Sequence, residues 1–492
     1  MTIGKLSDEV LLNVFRYYLH SSPRLWPRLV HICRKWRHVV FSSRRDLHLQ
    51  LFCTYGTPVL KTLDCWPTLP IVVEYGGSPA LSPPAPEDED NIVAALMRSD
   101  RVISIHLTVT LSLFVKLYSI MGLFSRLEDL VILSLDNVGL TFPSAFRWGP
   151  HLRTLHLTRI TLPALSRLLS SSKDLVEIQL HEIPGIEYIF TESLWNALSG
   201  MTQLQLLSLR FDSLYSPTPT ELLELYPPPR TRAVLPALTC FEYQGTSETF
   251  NSLVARVYAP YLEDIEITFF DEFTSDVTNL RRFIDEIQVR KSPLRADILL
   301  SESSVSISLI QPLPSCLKLQ VICEPSSQKM LSISRFWSLF STFFLCVEDL
   351  RIKAKRLSSS QDGLNLWMEV IRSFRATERF HLAGDFSTDF AHALKILLSQ
   401  LGPESVLPAL RKLYISQPGP RHAPLRLAVV SLMVSRRLSG HLIEVEYERP
   451  WINKLPEIGM THAQRQYHTL TCLEQDLYLS RQQLRRYLTT SY

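Results

Sequence analysis

Glycine is scarce in this sequence, and its scarcity disfavours several common kinds of function. Only 16 of the 492 residues are glycine, about half the usual share in globular proteins. No G-x-G-x-x-G, G-x-x-x-x-G-K-S/T or G-x-S-x-G motif occurs. These motifs need glycine because the backbone must approach a phosphate closely or turn sharply. The composition therefore argues against most nucleotide-binding and α/β-hydrolase folds.

Cysteine is sparse as well. The eight cysteines include no C-x-x-C pair, so we expect no disulfide framework and predict a reduced compartment, cytoplasmic and/or nuclear. Asp8 and Glu9 fall where a signal peptide would need an apolar run, which disfavours secretion. Six potential metal ligands cluster near the start, but not at the spacing of a zinc site: His31, Cys33, His38, His48, Cys53 and Cys65. We expect neither a metal nor another cofactor.

Only one long apolar stretch could be mistaken for a membrane span. Residues 102–125 carry a single charge, Lys116, near the middle of the stretch, where a charge in a membrane-spanning helix is costly. Polar residues also interrupt the stretch. We therefore predict a strand followed by a helix here, and no membrane partner.

The N-terminal segment differs from the rest of the chain in charge. Residues 1–53 carry nine Lys and Arg against three Asp and Glu, whereas the net charge of the whole chain is +3. Ser7 is a candidate helix N-cap followed by two acids. Apolar residues then recur at helical spacing in two stretches, separated by Pro23 and Pro27, which predicts two amphipathic helices. These apolar residues are Val10, Leu11, Val14, Phe15 and Tyr18, then Leu29, Ile32, Cys33, Trp36 and Val40.

Beyond residue 100 a degenerate pattern repeats: apolar, two variable residues, apolar, one variable residue, apolar. Its copies begin 22 to 34 residues apart, except for one interval of 54. The copies are Val102-Ile105-Leu107, Leu130-Leu133-Leu135, Leu152-Leu155-Leu157, Leu175-Ile178-Leu180, Leu204-Leu207-Leu209, Leu238-Phe241-Tyr243, Leu262-Ile265-Ile267, Cys316-Leu319-Val321, Val347-Leu350-Ile352, Thr377-Phe380-Leu382, Leu410-Leu413-Ile415 and Leu442-Val445-Tyr447. One strand and one helix cannot bury their apolar faces alone, whereas stacked units share a continuous core. The pattern predicts an α/β fold with a parallel sheet and helices on the convex side.

The patterning predicts three parts: a helical segment at 1–45, a solenoid at 46–450, and a helical cap or tail at 451–492. The interval of 54 spans about two repeat periods, and either Asp297–Leu300 or Val305–Leu309 could supply the missing strand. Pro86 is followed by four acids, which predicts a helix start. The proline-rich residues 217–229 predict an inserted loop.

The segment Lys5–Leu49 resembles an F-box. Leu6-Ser7-Asp8-Glu9-Val10-Leu11-Leu12 and His31-Ile32-Cys33-Arg34-Lys35-Trp36-Arg37 carry the likeness, although Ser7 stands where the family has proline. Trp66-Pro67-Thr68-Leu69-Pro70 is similar to the segment that follows the box in many fungal-type F-box proteins with degenerate leucine-rich repeats. The Asn or Cys of the leucine-rich-repeat consensus is replaced by Val138, Ile160, Ile183 or Asp212, which implies an irregular solenoid.

The resemblance implies a substrate-recognition subunit of an SCF-type (cullin–RING) ubiquitin ligase. In that family the box docks on the Skp adaptor and the repeat domain binds a protein substrate. The candidate adaptor-binding residues are Leu6, Ser7, Val10, Leu11, Val14, Phe15, Leu29, Ile32, Cys33 and Trp36. The positive charge of the segment suits an acidic partner. The substrate-binding residues are not indicated by the sequence.

Three other functions are alternatives to a ligase subunit. A repeat scaffold could bind proteins without any ligase, and the basic N-terminal segment could bind nucleic acid, although no aromatic stacking platform accompanies its charges. Catalysis is not expected, since no serine or cysteine sits in a recognisable nucleophile motif. The acidic doublets Glu263-Asp264 and Glu348-Asp349 precede core strand positions and are interpreted as solvated turn or strand-edge residues.

Overall fold

The fold is known from a computed structural model, and the account below concerns the residues that it describes. These are residues 6–66, 68–75, 86–118, 120, 122–136, 139–142, 146–161, 165–182, 192–211, 232–270, 278–287, 294–301, 304–310, 316–322, 337, 343–354, 361–384, 388–416 and 423–448. The predicted loop at 217–229 and the predicted cap or tail at 451–492 lie outside them.

The described residues form a mixed α/β protein with a large, mostly parallel sheet. The helices are α1 (Asp8–Ser21), α2 (Trp26–Val30), α3 (Arg34–Ser42), α4 (Val59–Cys65), α5 (Pro86–Leu96), α6 (Leu111–Tyr118), α7 (Leu165–Ser170), α8 (Glu192–Ser199), α9 (Ser247–Val254), α10 (Thr278–Asp285), α11 (Gln361–Ser373), α12 (Thr388–Leu401) and α13 (Ala423–Leu438). The sheet strands are β1 (Leu51–Cys53), β2 (Ile71–Tyr75), β3 (Val102–Val109), β5 (Asp129–Ser134), β8 (Thr154–Thr158), β10 (Glu177–His181), β11 (Leu206–Arg210), β13 (Cys240–Gly245), β15 (Asp264–Phe269), β16 (Arg295–Leu300), β17 (Ser304–Ile310), β18 (Cys316–Ile322), β19 (Asp349–Ala354), β20 (Arg379–Gly384), β21 (Lys412–Ser416) and β22 (Glu444–Glu448). Short strand pairs lie beside it: β4 (Leu123–Phe124) with β7 (Arg147–Trp148), β6 (Leu140–Thr141) with β9 (Ile160–Thr161), and β12 (Ala233–Val234) with β14 (Val257–Tyr258).

The chain divides into two compact units. The first comprises Met1–Glu242 with Ser252–Tyr261, and the second comprises Tyr243–Asn251 with Leu262–Tyr492. The sequence pattern does not mark this division. The N-terminal helices belong to the first unit, and the domain boundaries expected near residues 45 and 450 stay predictions.

In the first unit the strands are parallel and neighbours in the order β1-β2-β3-β5-β8-β10-β11. One hydrogen-bond arrangement recurs from strand to strand. The backbone N–H groups of Arg153 and Thr154 both donate to the carbonyl oxygen of Glu128, and those of Val176 and Glu177 both donate to that of Arg153. Except at β5, the buried residues follow the predicted pattern, and the core of this unit runs along one face of its strands.

The second unit departs from a simple repeat. Its strand order is β15-β18-β17-β16-β19-β20-β21-β22, and β17 is antiparallel to both β16 and β18. The interval of 54 residues therefore holds two added strands, β16 and β17, which form a three-stranded meander with β18. Both candidate segments for the missing strand are thus strands. The physical reason is the short connection: Ser304 N–H donates to Ser301 Oγ at 3.0 Å in the turn between β16 and β17, whereas a parallel crossover needs a dozen residues or more.

One predicted copy of the pattern was placed in the wrong register. In and around β5 the buried apolar residues are Leu127, Leu130 and Ile132, whereas Leu133 is half-buried and Leu135 is exposed. An uninterrupted apolar run allows either register, and only the alternation of the strand against its neighbours selects one. The corrected triplet shares the spacing of the other copies.

Two other local expectations met different outcomes. The helix predicted from Pro27 to Val40 was wrong, because an extended Cys33 (φ −159°, ψ 170°) separates α2 from α3. The predicted helix start at Pro86 is confirmed by α5. The strand followed by a helix predicted within residues 102–125 is confirmed by β3 and α6, which together span residues 102–118. None of the helices in the described ranges is long and apolar enough to cross a membrane.

Turns at the ends of three strands share a left-handed backbone. Arg159 (φ 58°), Glu182 (φ 50°) and Gly384 (φ 94°) each lie two residues after the last buried residue of the local pattern. At Gly384 a Cβ atom would lie 2.1 Å from the carbonyl oxygen of Ala354. Glycine is therefore required at this turn by both conformation and space.

Candidate functional site

The N-terminal helices are tied together at the start of α1. Ser7 Oγ accepts a hydrogen bond from the backbone N–H of Val10 at 3.4 Å, which makes it the predicted N-cap. Lys35 of α3 donates to the carbonyl oxygen of Leu6 at 2.5 Å and lies 3.5 Å from the carboxylate of Asp8. The first turn of α1 is thus held by its own cap and by a cation from α3.

Four of the ten candidate adaptor-binding residues pack inside the helical segment. Leu11, Phe15 and Leu29 are buried, and the Trp36 ring, half-buried, meets the Phe15 ring edge to face with centroids 4.8 Å apart. The contact between the Phe15 and Trp36 rings joins α1 to α3. A partner could not reach the three buried ones without unfolding the segment.

The other candidates are accessible. Ser7, Val10, Val14, Ile32 and Cys33 are exposed, and Leu6 is half-buried. The sequence reasoning missed Tyr17, which is 82% exposed. Its spacing from Val10 and Val14 is i, i+4, i+7, so the three lie on one face of α1.

We name Val10, Val14, Tyr17, Ile32 and Cys33 the N-terminal apolar surface. Ile32 and Cys33 precede α3, whose Lys35 contacts the beginning of α1. Exposed large apolar side chains are ordinary when scattered singly, whereas several on one small segment make that segment a candidate interaction surface. The helical period and the burial together distinguish these exposed residues from the buried ones of the same segment. The sequence pattern alone did not make this distinction.

A second accessible surface is the polar face of the first unit's sheet. His106, Val131, His156, Gln179 and Ser208 are in register across five neighbouring strands. Apart from buried Ser208, these side chains are half-buried or exposed. The residues directly before and after each of them along its strand are buried. Thr154 and Glu177 lie on the same face as Val131, whereas Ile132 points into the core.

A hydrogen-bonded chain crosses this polar face. His181 Nε2 lies 2.9 Å from Ser208 Oγ, which donates to Glu242 Oε2 at 2.8 Å. Arg210 donates to the same carboxylate oxygen at 2.8 Å. The His156 ring lies edge to face with that of His181 at 4.8 Å. Ser208 is fully buried and its hydroxyl is engaged by Glu242, so the chain links strands and offers no accessible nucleophile.

Burial controls the charge states of the titratable side chains on this polar face. The pKa of His181 is lowered to about 4, chiefly by burial and then by the charges of His156 and Arg210, with Glu242 acting in the opposite direction. Burial likewise lowers the pKa values of His106 and His156. Burial alone would raise the pKa of Glu242, but hydrogen bonds from Arg210 and Ser208 bring it below its usual range. At neutral pH the imidazoles are uncharged and Glu242 is ionised.

An open cavity lies at the strand ends next to this face. Its volume is about 450 Å³, and its lining residues are Glu128, His151, Arg153, Asp174, Val176 and Gln203. The lining carries both signs of charge and one apolar side chain. It favours a polar segment of a protein over an apolar small molecule.

The acidic doublets have different surroundings from those expected. Glu263, Asp264 and Glu348 are exposed, in agreement with solvated turn or strand-edge positions. Asp349 is 14% exposed and lies 3.4 Å from His381 Nε2, 3.6 Å from Arg351 Nε and 3.8 Å from Arg379 Nε. The solvated reading was therefore wrong for Asp349, because its strand neighbours bring three basic groups to it.

The six potential metal ligands near the start of the chain include one buried thiol. Cys53 is buried, and burial raises the pKa of its thiol to about 11, which disfavours the thiolate that binds metals. Across the described ranges no group of three His, Cys, Asp or Glu side chains is arranged to hold a metal ion.

Comparison with known proteins adds no family to these observations. No family model matches the chain, and no curated protein matches it. The resemblance of the N-terminal segment to an F-box thus rests on the residues quoted for it.

Proposed function

We propose that this chain is the substrate-recognition subunit of an SCF-type ubiquitin ligase. Residues 1–45 would dock on the Skp adaptor, and an irregular solenoid of the leucine-rich-repeat type would bind a protein substrate. The N-terminal apolar surface is the observation that carries the proposal. It lies on the segment that resembles an F-box, and it is accessible while the core of that segment is complete without a partner.

The energetics of docking suit this surface. Burying a valine or isoleucine side chain contributes about 1.5–3 kcal/mol when the whole side chain leaves water, and Val10, Val14 and Ile32 each have about half of their surface available. Tyr17 offers a large ring with a polar end, a residue type enriched at interfaces. The positive charge of residues 1–53 would favour approach of an acidic adaptor.

Repetition in the sheet supports the substrate-binding part. The same pair of hydrogen bonds to one carbonyl recurs at successive strands of both units, as at Glu128 and Arg153 in the first and at Glu348 and Glu378 in the second. A repeated step of this kind is what stacked repeats require. The chain would perform no chemistry itself, and would act in the cytoplasm and/or nucleus by holding a substrate near a charged ubiquitin carrier.

The test is co-purification of the full chain with the Skp adaptor. The structure directs the variant to Val10→Glu with Val14→Glu, since both residues are exposed, whereas Leu11→Glu would place a charge in the core. We expect at least about a hundredfold weaker adaptor binding, because two carboxylates would lose water at the interface. Val115→Glu, at an exposed valine of α6, is the matched control and should bind like the wild type.

Two results would contradict the proposal. One is a folded wild-type chain that does not retain the adaptor, which would leave the repeat scaffold without a ligase as the better reading. The other is equal binding by the double variant and the wild type, which would move the docking site away from the N-terminal apolar surface. Nucleic-acid binding would instead show steeply salt-dependent retention on an oligonucleotide column.

A further inference from the structure

Two neighbouring strands of the second unit, β19 and β20, carry exposed cations on the side of the sheet opposite to its core. Arg351 and Lys353 of β19 and Arg379 of β20 are exposed, whereas their strand neighbours Ile352 and Phe380 are buried. The two strands are paired in parallel, about 4.8 Å apart, so the three side chains leave the sheet close together. We name Arg351, Lys353 and Arg379 the cationic surface.

The other lysines and arginines on the described strands of the large sheet are closely paired with carboxylates. Arg210, Arg295 and Lys412 each have a side-chain nitrogen within 3.0 Å of a carboxylate oxygen, and Lys318 is paired with a glutamate of β15. At Arg295 the pairing is bidentate, since its guanidinium donates to the two oxygens of Asp297 at 2.8 and 2.7 Å. These cations are therefore satisfied within the protein.

The cationic surface is not matched in this way. Arg351 Nε and Arg379 Nε lie 3.6 and 3.8 Å from the carboxylate of one residue, Asp349, which is too far for a hydrogen bond. His381 Nε2 lies 3.4 Å from the same carboxylate. Within the described part of the chain, no carboxylate pairs with Lys353. One carboxylate is thus shared loosely by two guanidinium groups, whose terminal nitrogens can donate to a further acceptor.

An aromatic pair adjoins the cationic surface. The His381 and Tyr414 rings are stacked with centroids 4.1 Å apart and 8° between their planes, and His381 is in register with Arg351. Each ring therefore covers one face of the other. Single-stranded nucleic acids bind where aromatic rings stay open to stack on successive bases, so this pairing favours a peptide over a nucleic acid.

Acidic groups limit the cationic surface on both sides. Asp297 of β16 is in register with Arg351. Glu444 and Glu446 of β22 lie 3.0 and 4.0 Å from Lys412. The strands between β16 and β22 are β19 to β21, which are about 10 Å across. A single extended peptide fits within this width, whereas the phosphates of a nucleic-acid duplex would also meet the flanking carboxylates.

We propose that the cationic surface binds an extended acidic segment of the protein substrate, with carboxylates at alternate positions. Arg379 is level with Asp349, and Arg351 and Lys353 follow two and four residues after that level. Each step is about 6.6 Å along parallel strands. Side chains at alternate positions of an extended peptide point to one side at the same spacing, so carboxylates at i, i+2 and i+4 match the three cations.

The proposal rests on the substrate-binding part of the proposed function, and fluorescence anisotropy of the full chain tests it. The probe is a short labelled peptide in which glutamate and serine alternate, and we expect it to bind. Arg351→Gln with Lys353→Gln should weaken binding at least about tenfold, since two exposed charge pairs are lost. Lys395→Gln with Arg437→Gln removes the same charge from exposed positions of α12 and α13 and should change the affinity by no more than about twofold.

The position of the charges supplies a second test. A peptide of the same composition with its glutamates in one uninterrupted run should bind more weakly, because only alternate side chains face the surface. Equal binding of the two peptides would overturn the alternate spacing. Lys353→Glu should weaken binding further than Lys353→Gln, and its unfolding midpoint should match that of the wild type because Lys353 is exposed.

Three results would overturn the proposal: no binding of the alternating peptide by the folded wild type, equal binding by the two double variants, or tighter binding of a single-stranded oligonucleotide than of the peptide. Co-purification with the Skp adaptor, measured on the same samples, distinguishes this proposal from the ligase role. Adaptor retention without peptide binding overturns only the acidic segment, and peptide binding without adaptor retention overturns only the ligase.

Discussion

Arg436 provides the sharpest test of how the second unit is held together. This residue of α13 is 1% exposed, and its guanidinium donates to the carbonyl oxygens of Val406 at 2.9 Å and Pro408 at 3.3 Å, and to that of Leu407. Leu407 has a left-handed backbone with φ 51°, which is costly for a residue with a Cβ. The arginine thus fixes the turn that leads to β21 in a conformation that the turn would not favour alone.

The cost of removing the guanidinium can be worked from these contacts. Three hydrogen bonds from a charged donor contribute about 1.5–3 kcal/mol each. Part of that sum is offset, because methionine at this position would no longer bury a charge. We expect Arg436→Met to lower the free energy of unfolding by about 2–4 kcal/mol, which is large against the usual total of about 5–15 kcal/mol.

Urea unfolding, with hydrogen exchange to assign the loss to the second unit, measures this effect. Arg437→Met is the matched control, because Arg437 is the next residue on the same helix and is exposed. It should change stability by no more than about 0.5 kcal/mol. Equal midpoints for the two variants would refute the reasoning, since the buried contacts would then contribute nothing beyond an exposed arginine.

Two further predictions concern backbone space and pH. Gly384→Ala should destabilise the second unit by more than about 2 kcal/mol, because it combines a left-handed φ with a clash against Ala354. Gly402→Ala is the control, since the space around Gly402 is open and the change should cost only the strain of its own φ. Equal melting temperatures for the two variants would contradict this prediction. The folded pKa of His181, about 4, lies below its unfolded value, so the stability that its neutral form contributes is complete above pH 6.5 and is lost as the pH falls towards 4. That loss is about 2 kcal/mol between pH 7 and pH 5. Urea titrations at the two pH values should find the loss reduced in His181→Gln but not in His20→Gln. If the unfolding free energy of His181→Gln depends on pH as strongly as that of the wild type, the result counts against a buried neutral imidazole.

Parts of the fold could be foreseen because they depend on local chemistry. Ser7 with Asp8 and Glu9 marks the start of α1, and Pro86 marks the start of α5, since caps and dipoles act within one turn. The recurring apolar triplets indicated parallel strands because each strand needs the same buried positions. The segments that form β16 and β17 were also foreseen as strands, but the antiparallel direction of β17 was not.

The sequence alone predicted only part of the candidate site. Val10 and Leu11 are adjacent and equally apolar, yet one is exposed and the other completely buried. A helical stripe shows which residues are apolar and not which neighbours cover them. The chain from His181 through Ser208 to Glu242 joins residues far apart in sequence, and only the register of β10, β11 and β13 brings them together.

By itself, the sequence determined the alternation of strand and helix, the basic character of the first segment and the period of the repeat, because these follow from side-chain type and spacing along the chain. The tertiary structure decided the antiparallel direction of β17, the register of β5, and the division of the N-terminal residues into core and surface. It also decided that Arg436 is buried while Arg437 is exposed. These outcomes depend on which elements pack against each other, and packing joins residues whose distance along the chain carries no local signal.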